Sequence, residues 1–307
     1  MSKTNNTYIS VIISDYNRKT YIIKALESVI NQTLPRNHYE VILVKNFSDQ
    51  EIDEFARSNY IKTSLSQDKT LSGKIKEGLL LARGDIICFL DDDDMFYNNK
   101  LEYIYNKFKN DDNLVYLHNN FSAVDSNGKA INYGNTNPDF NMSSITIRKN
   151  IIQIDTLTEV SKSIDTLMYL YALESGMHIE LDNKVLTYYR VTENSVTHSF
   201  QDMESFRNFS MISLNRILES YIRMQSLFKS RKVIKFLKHL ESFTRIRISL
   251  FGGKRPVIKD YFQVLFTPSM DPKYYELKII ASSIFFKNYA VKMLYENENR
   301  KKEYINA

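Results

Sequence analysis

Asp91 to Asp94 place four carboxylates in a row, directly after the apolar stretch Asp85 to Leu90 (DIICFL). Crowded carboxylates repel one another, and a cation among them relieves the repulsion. In an extended segment the side chains at i and i+2 point the same way, so Asp91 and Asp93 are expected to face one ligand together. Their hard oxygens suit Mg²⁺ or Mn²⁺, and such an ion bridges readily to a diphosphate. An acidic run of this kind is also compatible with a solvated loop or a helix N-terminus, so the surrounding elements have to decide.

Those elements alternate. Tyr8 to Ile13 (YISVII) and Tyr39 to Val44 (YEVILV) read as buried strands, and Tyr60 to Ser64 and Asp85 to Leu90 as two more. Between them, Tyr21, Ile22, Ala25, Leu26, Val29 and Ile30 recur at helical spacing, Ile52 to Ala56 is a short helix candidate, and Leu71 to Ala82 is helical in pattern. Such alternation predicts βαβ units, an α/β fold and a mostly parallel sheet flanked by helices. Ligands of these sheets bind beyond the carboxyl ends of the strands. The turns SDYN and KNFSD and the aspartate run all fall at such ends and are expected to share one crevice. Further on, Leu114 to Val124, the turn SNG and Lys129 to Tyr133 suggest a hairpin. Ser144 to Ile147 and Val185 to Val191 suggest strands, and Asp165 to Ser175 a helix.

Two long motifs carry a family resemblance. SVIISDYNR followed by ALESVINQT (Ala25 to Thr33), and GLLLARGDIICFLDDDD (Gly78 to Asp94), resemble the family 2 glycosyltransferases of the GT-A fold. Those proteins open with a strand, a turn and a helix ending S-V-x-N-Q-T, and later show G-x-x-x-A-x-G-x-x-I-x-F-L-D-x-D-D. The resemblance spans about residues 8–198 and implies a GT-A-like catalytic domain that moves a sugar from a nucleotide-sugar to an acceptor hydroxyl with inversion. It puts the D-x-D motif on Asp91 and Asp93, with Asp91, Asp92 and Asp93 serving the sugar-nucleotide and its Mn²⁺ or Mg²⁺. The family's acidic pair on a helix, with a glycine eleven residues after its Asp, falls on Asp165 and Gly176, with Ile164 in place of the Glu. The resemblance therefore makes Asp165 the general base; read without it, Asp165 is better taken as an acid favoured by a helix N-terminus. VLTYYRVTENSVTH (Val185 to His198) resembles the segment Y-R-x-H-x-x-S-x-S, which brings in Arg190 as a phosphate contact and His198 as a diphosphate or metal contact. Two readings of other classes stay open: a nucleotidyltransferase of related fold, which releases pyrophosphate, and a non-catalytic sugar- or membrane-binding relative.

The departures from the family pattern concern the base. Lys45-Asn46 stands where V-D-D-x-S is usual, KIKEG (Lys74 to Gly78) replaces A-R-N-x-G, and Asp15 replaces a Thr. Asp15, Tyr16, Asn46 and Lys74, with Asp49 and Lys76 beside them, are therefore the candidates for an altered nucleotide pocket, with a UDP-sugar as the default donor.

Charge divides the chain. Residues 1–199 carry 21 Lys/Arg against 26 Asp/Glu, and residues 200–307 carry 20 against 10. A catalytic domain over 1–199 and a basic, mainly helical region over 200–307 are expected. In the second, cations from Arg223 to Lys259 interleave with apolar residues from Leu227 to Phe251, a pattern of helices lying on anionic membranes or packing on protein, including a second subunit. No nucleic-acid module is recognisable. The single cysteine, Cys88, excludes an internal disulfide, and the opening MSKTNNTY has no apolar signal core, so a cytoplasmic enzyme is expected, peripheral at the membrane face if its acceptor is lipid-linked.

Overall fold

The β-branched runs become the strands of one sheet. The computed structural model describes residues 7–15, 19–131, 141–191, 200–267 and 273–306. Strands β1 (Ile9–Ser14), β2 (Tyr39–Lys45), β3 (Lys62–Leu65) and β4 (Ile86–Asp91) alternate with helices α1 (Lys19–Ile30), α2 (Gln50–Ser58) and α3 (Leu71–Leu81). After them come β5 (Met95–Phe96), α4 (Lys100–Asn110), β6 (Leu114–Val124), β7 (Ile145–Arg148), α5 (Ile164–Ser175) and β8 (His178–Arg190). The sheet order is β3-β2-β1-β4-β7-β6-β8-β5. The first four strands are parallel, β7 runs antiparallel between β4 and β6, and β6 pairs parallel with β8.

Every residue of β1 and β2 is buried, as expected when helices cover both faces. One face presents Val11, Ile13, Val41, Leu43, Cys88 and Leu90 to α1, α2 and α4, whose Leu26, Ile52 and Ile104 join the same core. Burial pushes the Cys88 thiol up to about 11, so it is a core residue and not a nucleophile. On the opposite face α3 lies against β1 so closely that a Cβ on Gly78 would stand 2.5 Å from Ile12 Cγ2.

Gly84, the last motif glycine before β4, donates its N–H to Ser10 Oγ at 2.8 Å. A Cβ there would meet main-chain atoms, Ser10 N at 2.6 Å and Tyr8 O at 2.7 Å. Backbone cannot step aside as a flexible side chain can, so Gly84→Ala is expected to cost about 1–3 kcal/mol. Urea unfolding should show a lower midpoint at unchanged slope.

Three features depart from the sequence expectations. Helix α4 was not foreseen, although Leu101, Ile104 and Phe108 give it a buried stripe. Strand β8 begins at His178, seven residues ahead of the apolar run, because its first half lies half exposed beside β6. The hairpin after β6 is reduced, within the described residues, to a turn closed by Asp125 and Lys129 and a single bridge between Val124 and Ala130.

Among the described residues, the chain divides after Arg190 into two compact units. The second is helical: α6 (Met203–Met224), α7 (Arg231–Leu250), α8 (Ile258–Phe266), α9 (Lys273–Phe285) and α10 (Lys287–Asn306). Asp202 caps α6 by accepting from Ser205 N at 2.7 Å, and Ser230 caps α7. Phe206, Phe243, Ile246, Leu250, Val264, Ile279 and Val291 form its core, and a buried His239–Glu276 contact of 2.6 Å ties α7 to α9. Much of the apolar content expected on a membrane-facing α7 is therefore spent on packing: Val233, Leu237 and Ile246 are wholly buried. Among the described residues no helix is long and apolar enough to cross a membrane.

Candidate active site

The carboxyl ends of β1, β2 and β4 lie side by side, since Ser14 is in register with both Val44 and Asp91. Asp15 extends β1 by one residue and donates its N–H to Val44 O at 3.0 Å. Lys74, in the first turn of α3, reaches into this corner. Thr70 sets that turn, its Oγ1 accepting from Gly73 N at 3.1 Å, and Asp68 in turn fixes Thr70. Lys74 is fully buried; its ammonium donates to the main-chain oxygen of Asp15 and to Asn46 Oδ1 at 3.1 Å. Burial lowers its pKa, and Asp15, Asp92 and Asp68 oppose that shift. Asp15, Asn46, Lys74 and Asp92, picked from four separate stretches of sequence, are thus one cluster. Asp49 and Lys76 have other duties. Asp49 caps α2 through Ile52 N and pairs with Lys19 at 2.6 Å, while Lys76 lies 3.8 Å from Asp155.

The acidic run is a turn, not an extension of β4. Asp94 donates its N–H to Asp91 O at 3.2 Å, so the chain reverses across Asp92 and Asp93. The alternation argument for Asp91 and Asp93 is therefore replaced by turn geometry. Asp91 is half exposed, whereas Asp92, Asp93 and Asp94 are buried. Asp94 has both carboxylate oxygens on protein donors, Oδ2 on Ser143 Oγ at 2.6 Å and Oδ1 on Arg190 N at 2.8 Å. Burial, then Asp93 and Asp91, hold its carboxyl well above the usual range, and the Ser143 and Arg190 bonds oppose this. An acidic turn in which Asp93 and Asp91 raise the proton affinity of the buried Asp94, beside a half-exposed Asp91 carboxylate, fits a hard divalent cation. Among the described residues no ready-made cluster of three or more metal-ligating side chains is present, so substrate oxygens or water would complete a shell begun by Asp91 and Asp93.

A buried polar floor, announced by no motif, holds this turn. Ser143 accepts from Asp91 N at 3.0 Å while bonding Asp94. Lys100, fully buried, donates to Ser143 O at 2.5 Å and to Thr187 Oγ1 at 3.0 Å. Thr187 also receives Asn119 Nδ2 at 3.0 Å and donates to Ser143 O at 3.1 Å. Burial pulls the Lys100 pKa down to about 7, against the influence of Cys88 and Asp94.

Arg190 serves the same scaffold. Its Nε donates to Asp93 O at 2.8 Å, and one terminal nitrogen reaches Asp125 O at 2.8 Å and Ser126 O at 2.9 Å. Its guanidinium lies over the Tyr21 ring, 4.6 Å from the centroid. Only 3% exposed, it fastens the acidic turn through the backbone, a positioning duty different from the phosphate contact expected of it.

Asp165 stands in a second group. It opens α5 after Ser163, whose backbone is left-handed at φ 60°, and its Oδ1 accepts from Thr166 N at 2.6 Å. Its charge adds to burial in raising the Tyr116 phenol well above 10, and Tyr116 meets Tyr169 edge-on at 5.6 Å. Gly176 closes the helix in the left-handed conformation, φ 68°. Tyr16 and His198 lie outside the described residues.

A parallel four-stranded half-sheet feeding an acidic turn, completed by an antiparallel strand and a helical second unit, is the GT-A type of α/β fold. Among the solved structures of similar fold are two with bound nucleotide-sugar. One is S. aureus TarS 1–349 in complex with UDP-GlcNAc, at TM-score 0.54 and 17% identity, covering 94% of this chain and 92% of that one. The other is the mannosyltransferase PcManGT from Pyrobaculum calidifontis in complex with GDP-Man and Mn²⁺, at TM-score 0.58 and 14% identity, covering 97% and 86%. An uncharacterized glycosyltransferase of Rickettsia bellii is 33% identical over 125 residues, which is 39% of this chain but only 18% of that relative's length. The profile of glycosyl transferase family 2 matches residues 10–163, and the chain belongs to that family.

Proposed function

We propose that the chain is a metal-dependent, inverting glycosyltransferase that uses a nucleoside diphosphate-sugar and an acceptor hydroxyl. The observation that carries this reading is the acidic turn at the end of β4, closed by the Asp94 N–H on Asp91 O and set beside the Lys74 cluster, in which Asp93 and Asp91 raise the Asp94 carboxyl. The neighbours' UDP-GlcNAc, GDP-Man and Mn²⁺ support the donor class and the ion. Asp15, Asn46, Lys74 and Asp92 line the nucleotide end, Asp91 and Asp93 hold Mn²⁺ or Mg²⁺, and Arg190 and Ser143 hold the turn. A bound divalent cation supplies charge neutralisation to the departing nucleoside diphosphate. Asp165 takes the proton of the acceptor hydroxyl as that oxygen bonds to the anomeric carbon and the bond from that carbon to the diphosphate oxygen breaks. Attack from the face opposite the leaving group inverts the anomeric centre. A lipid-linked acceptor would place the enzyme at the cytoplasmic face of an anionic membrane.

The test is a thermal-shift screen of UDP, GDP, ADP and CDP with and without Mn²⁺. A ligand at one hundred times its Kd adds about 2.7 kcal/mol of stability. For a unit of this size each kcal/mol raises Tm by about 2–4 °C. One nucleoside diphosphate is expected to give a shift of that order only with Mn²⁺ present. No shift with any of the four, metal included, would overturn the reading.

A further inference from the structure

Helix α8 wears its apolar residues on the wrong side for a helix that only completes a core. Val264 and Asp260 face inward, and Asp260 is spent there, accepting from Ser242 Oγ at 3.0 Å and from Val257 N at 2.9 Å. Outward stand Ile258, Phe262 and Phe266, 75%, 57% and 73% exposed and spaced four apart, one helical stripe. Phe262 and Phe266 stack at 5.9 Å, so the stripe is a preformed aromatic ridge. Exposed apolar area of this size on an ordered helix marks a contact surface.

Beside the ridge runs a groove of about 530 Å³ between α7 and α8. Arg231, Lys235, Lys238 and Lys259 line it, together with Phe262 and Phe266, and no carboxylate does. Among the described residues none of these four cations is in an ion pair, while nearby Glu241 is already held by Arg245 at 2.5 Å. A row of cations next to a bare aromatic ridge matches one kind of surface: phosphate in the groove and hydrocarbon against the rings. A soluble polyanion would use the cations and leave the ridge in water.

We propose that α8 is a membrane-docking helix, lying in the headgroup plane with Ile258, Phe262 and Phe266 inserted and an anionic phospholipid headgroup held in the α7–α8 groove. The helix is nine residues, about 13 Å long, so it lies on a bilayer and does not span it. A lipid-linked acceptor would give this docking its purpose, and in that respect it rests on the function proposed above; its geometry does not.

The test is co-sedimentation of the full chain with phosphatidylcholine vesicles, with and without phosphatidylglycerol, at low and high salt. Binding is expected only with phosphatidylglycerol, and salt should weaken it. A cation near such a surface contributes about 1 kcal/mol, or about fivefold, so Lys235→Ser/Lys238→Ser should weaken partition about 30-fold. Phe262→Ser/Phe266→Ser should abolish sedimentation while far-UV circular dichroism and Tm stay unchanged, both rings being outside the core. Asp91→Asn should sediment like the parent, which separates this proposal from the catalytic one. Equal binding to both vesicle types, or undiminished binding by the Phe variant, would overturn docking. So would retention on soluble polyphosphate without vesicle binding, or a dimer that the Phe variant converts to monomer.

Discussion

Asp165→Asn is expected to lower turnover by about 10²–10⁴-fold, the range a positioned general base supplies. A hydroxyl attacks poorly until its proton has somewhere to go, and Asn cannot receive it. The substitution is nearly isosteric, and Asn, like Asp, can accept from Thr166 N, so α5 should still start at the same place. Losing one negative charge from a helix N-terminus costs only about 0.3–1 kcal/mol. Tm should therefore hardly move while kcat collapses. Donor affinity in the thermal-shift assay should be preserved, because the role belongs to the transition state. A residue that merely caps a helix would produce the opposite pair of results, a small loss of stability with kcat intact. The product's anomeric configuration, read by NMR in the parent enzyme, should be opposite to the donor's; retention would exclude single displacement.

How far the sequence could be read depended on the distance over which a feature is encoded. Strands β1, β2 and β4 of the parallel half were legible because each is a short apolar, β-branched run followed by a turn, and burial on both faces leaves nothing to alternate. The nucleotide corner was legible in part. Asp15, Asn46 and Lys74 stand where the family motifs are altered, and Lys74 physically joins them. The acidic turn was found for a reason that the fold replaces. A run of aspartates says where charge is concentrated but not that the chain reverses after Asp91, which depends on the Asp94–Asp91 bond and on Ser143 beneath it. Ser143, Lys100 and Thr187 were invisible because no local period links a short turn, the start of α4 and the interior of β8, and their contacts span 43 to 87 residues. Arg190 was found by its motif, yet its surroundings turn its donors onto backbone carbonyls. α4 was missed although its stripe was present. Its polar Tyr, Asn and Lys residues dilute the apolar signal, and only the core into which Leu101, Ile104 and Phe108 fit makes it plain.

Asp91→Asn should separate the cost of the acidic turn from its use. Partners that only orient a metal ligand are worth about 10–100-fold in affinity, so loss of a direct carboxylate is expected to cost at least that factor in Mn²⁺ dependence and to remove turnover at ordinary Mn²⁺. Without metal the direction of the stability change should reverse. Asp91 and Asp93 both push the Asp94 carboxyl upward, so taking one charge away relieves repulsion, and the metal-free variant should melt at the same temperature as the parent or higher. Asp93→Asn should behave alike. Asp94→Asn should not, because Asp94 accepts from both Ser143 Oγ and Arg190 N, and an amide can satisfy only one of those donors with its oxygen. An unsatisfied buried donor costs about 1–3 kcal/mol, so that variant should lose Tm where the other two do not. Turnover against Mn²⁺ concentration and melting in chelator, measured on the three variants together, check this. If Asp91→Asn keeps its turnover and its Mn²⁺ response, the metal assignment falls; if all three lose Tm alike, the aspartates are scaffold and the carboxylates that bind the ion must be sought elsewhere.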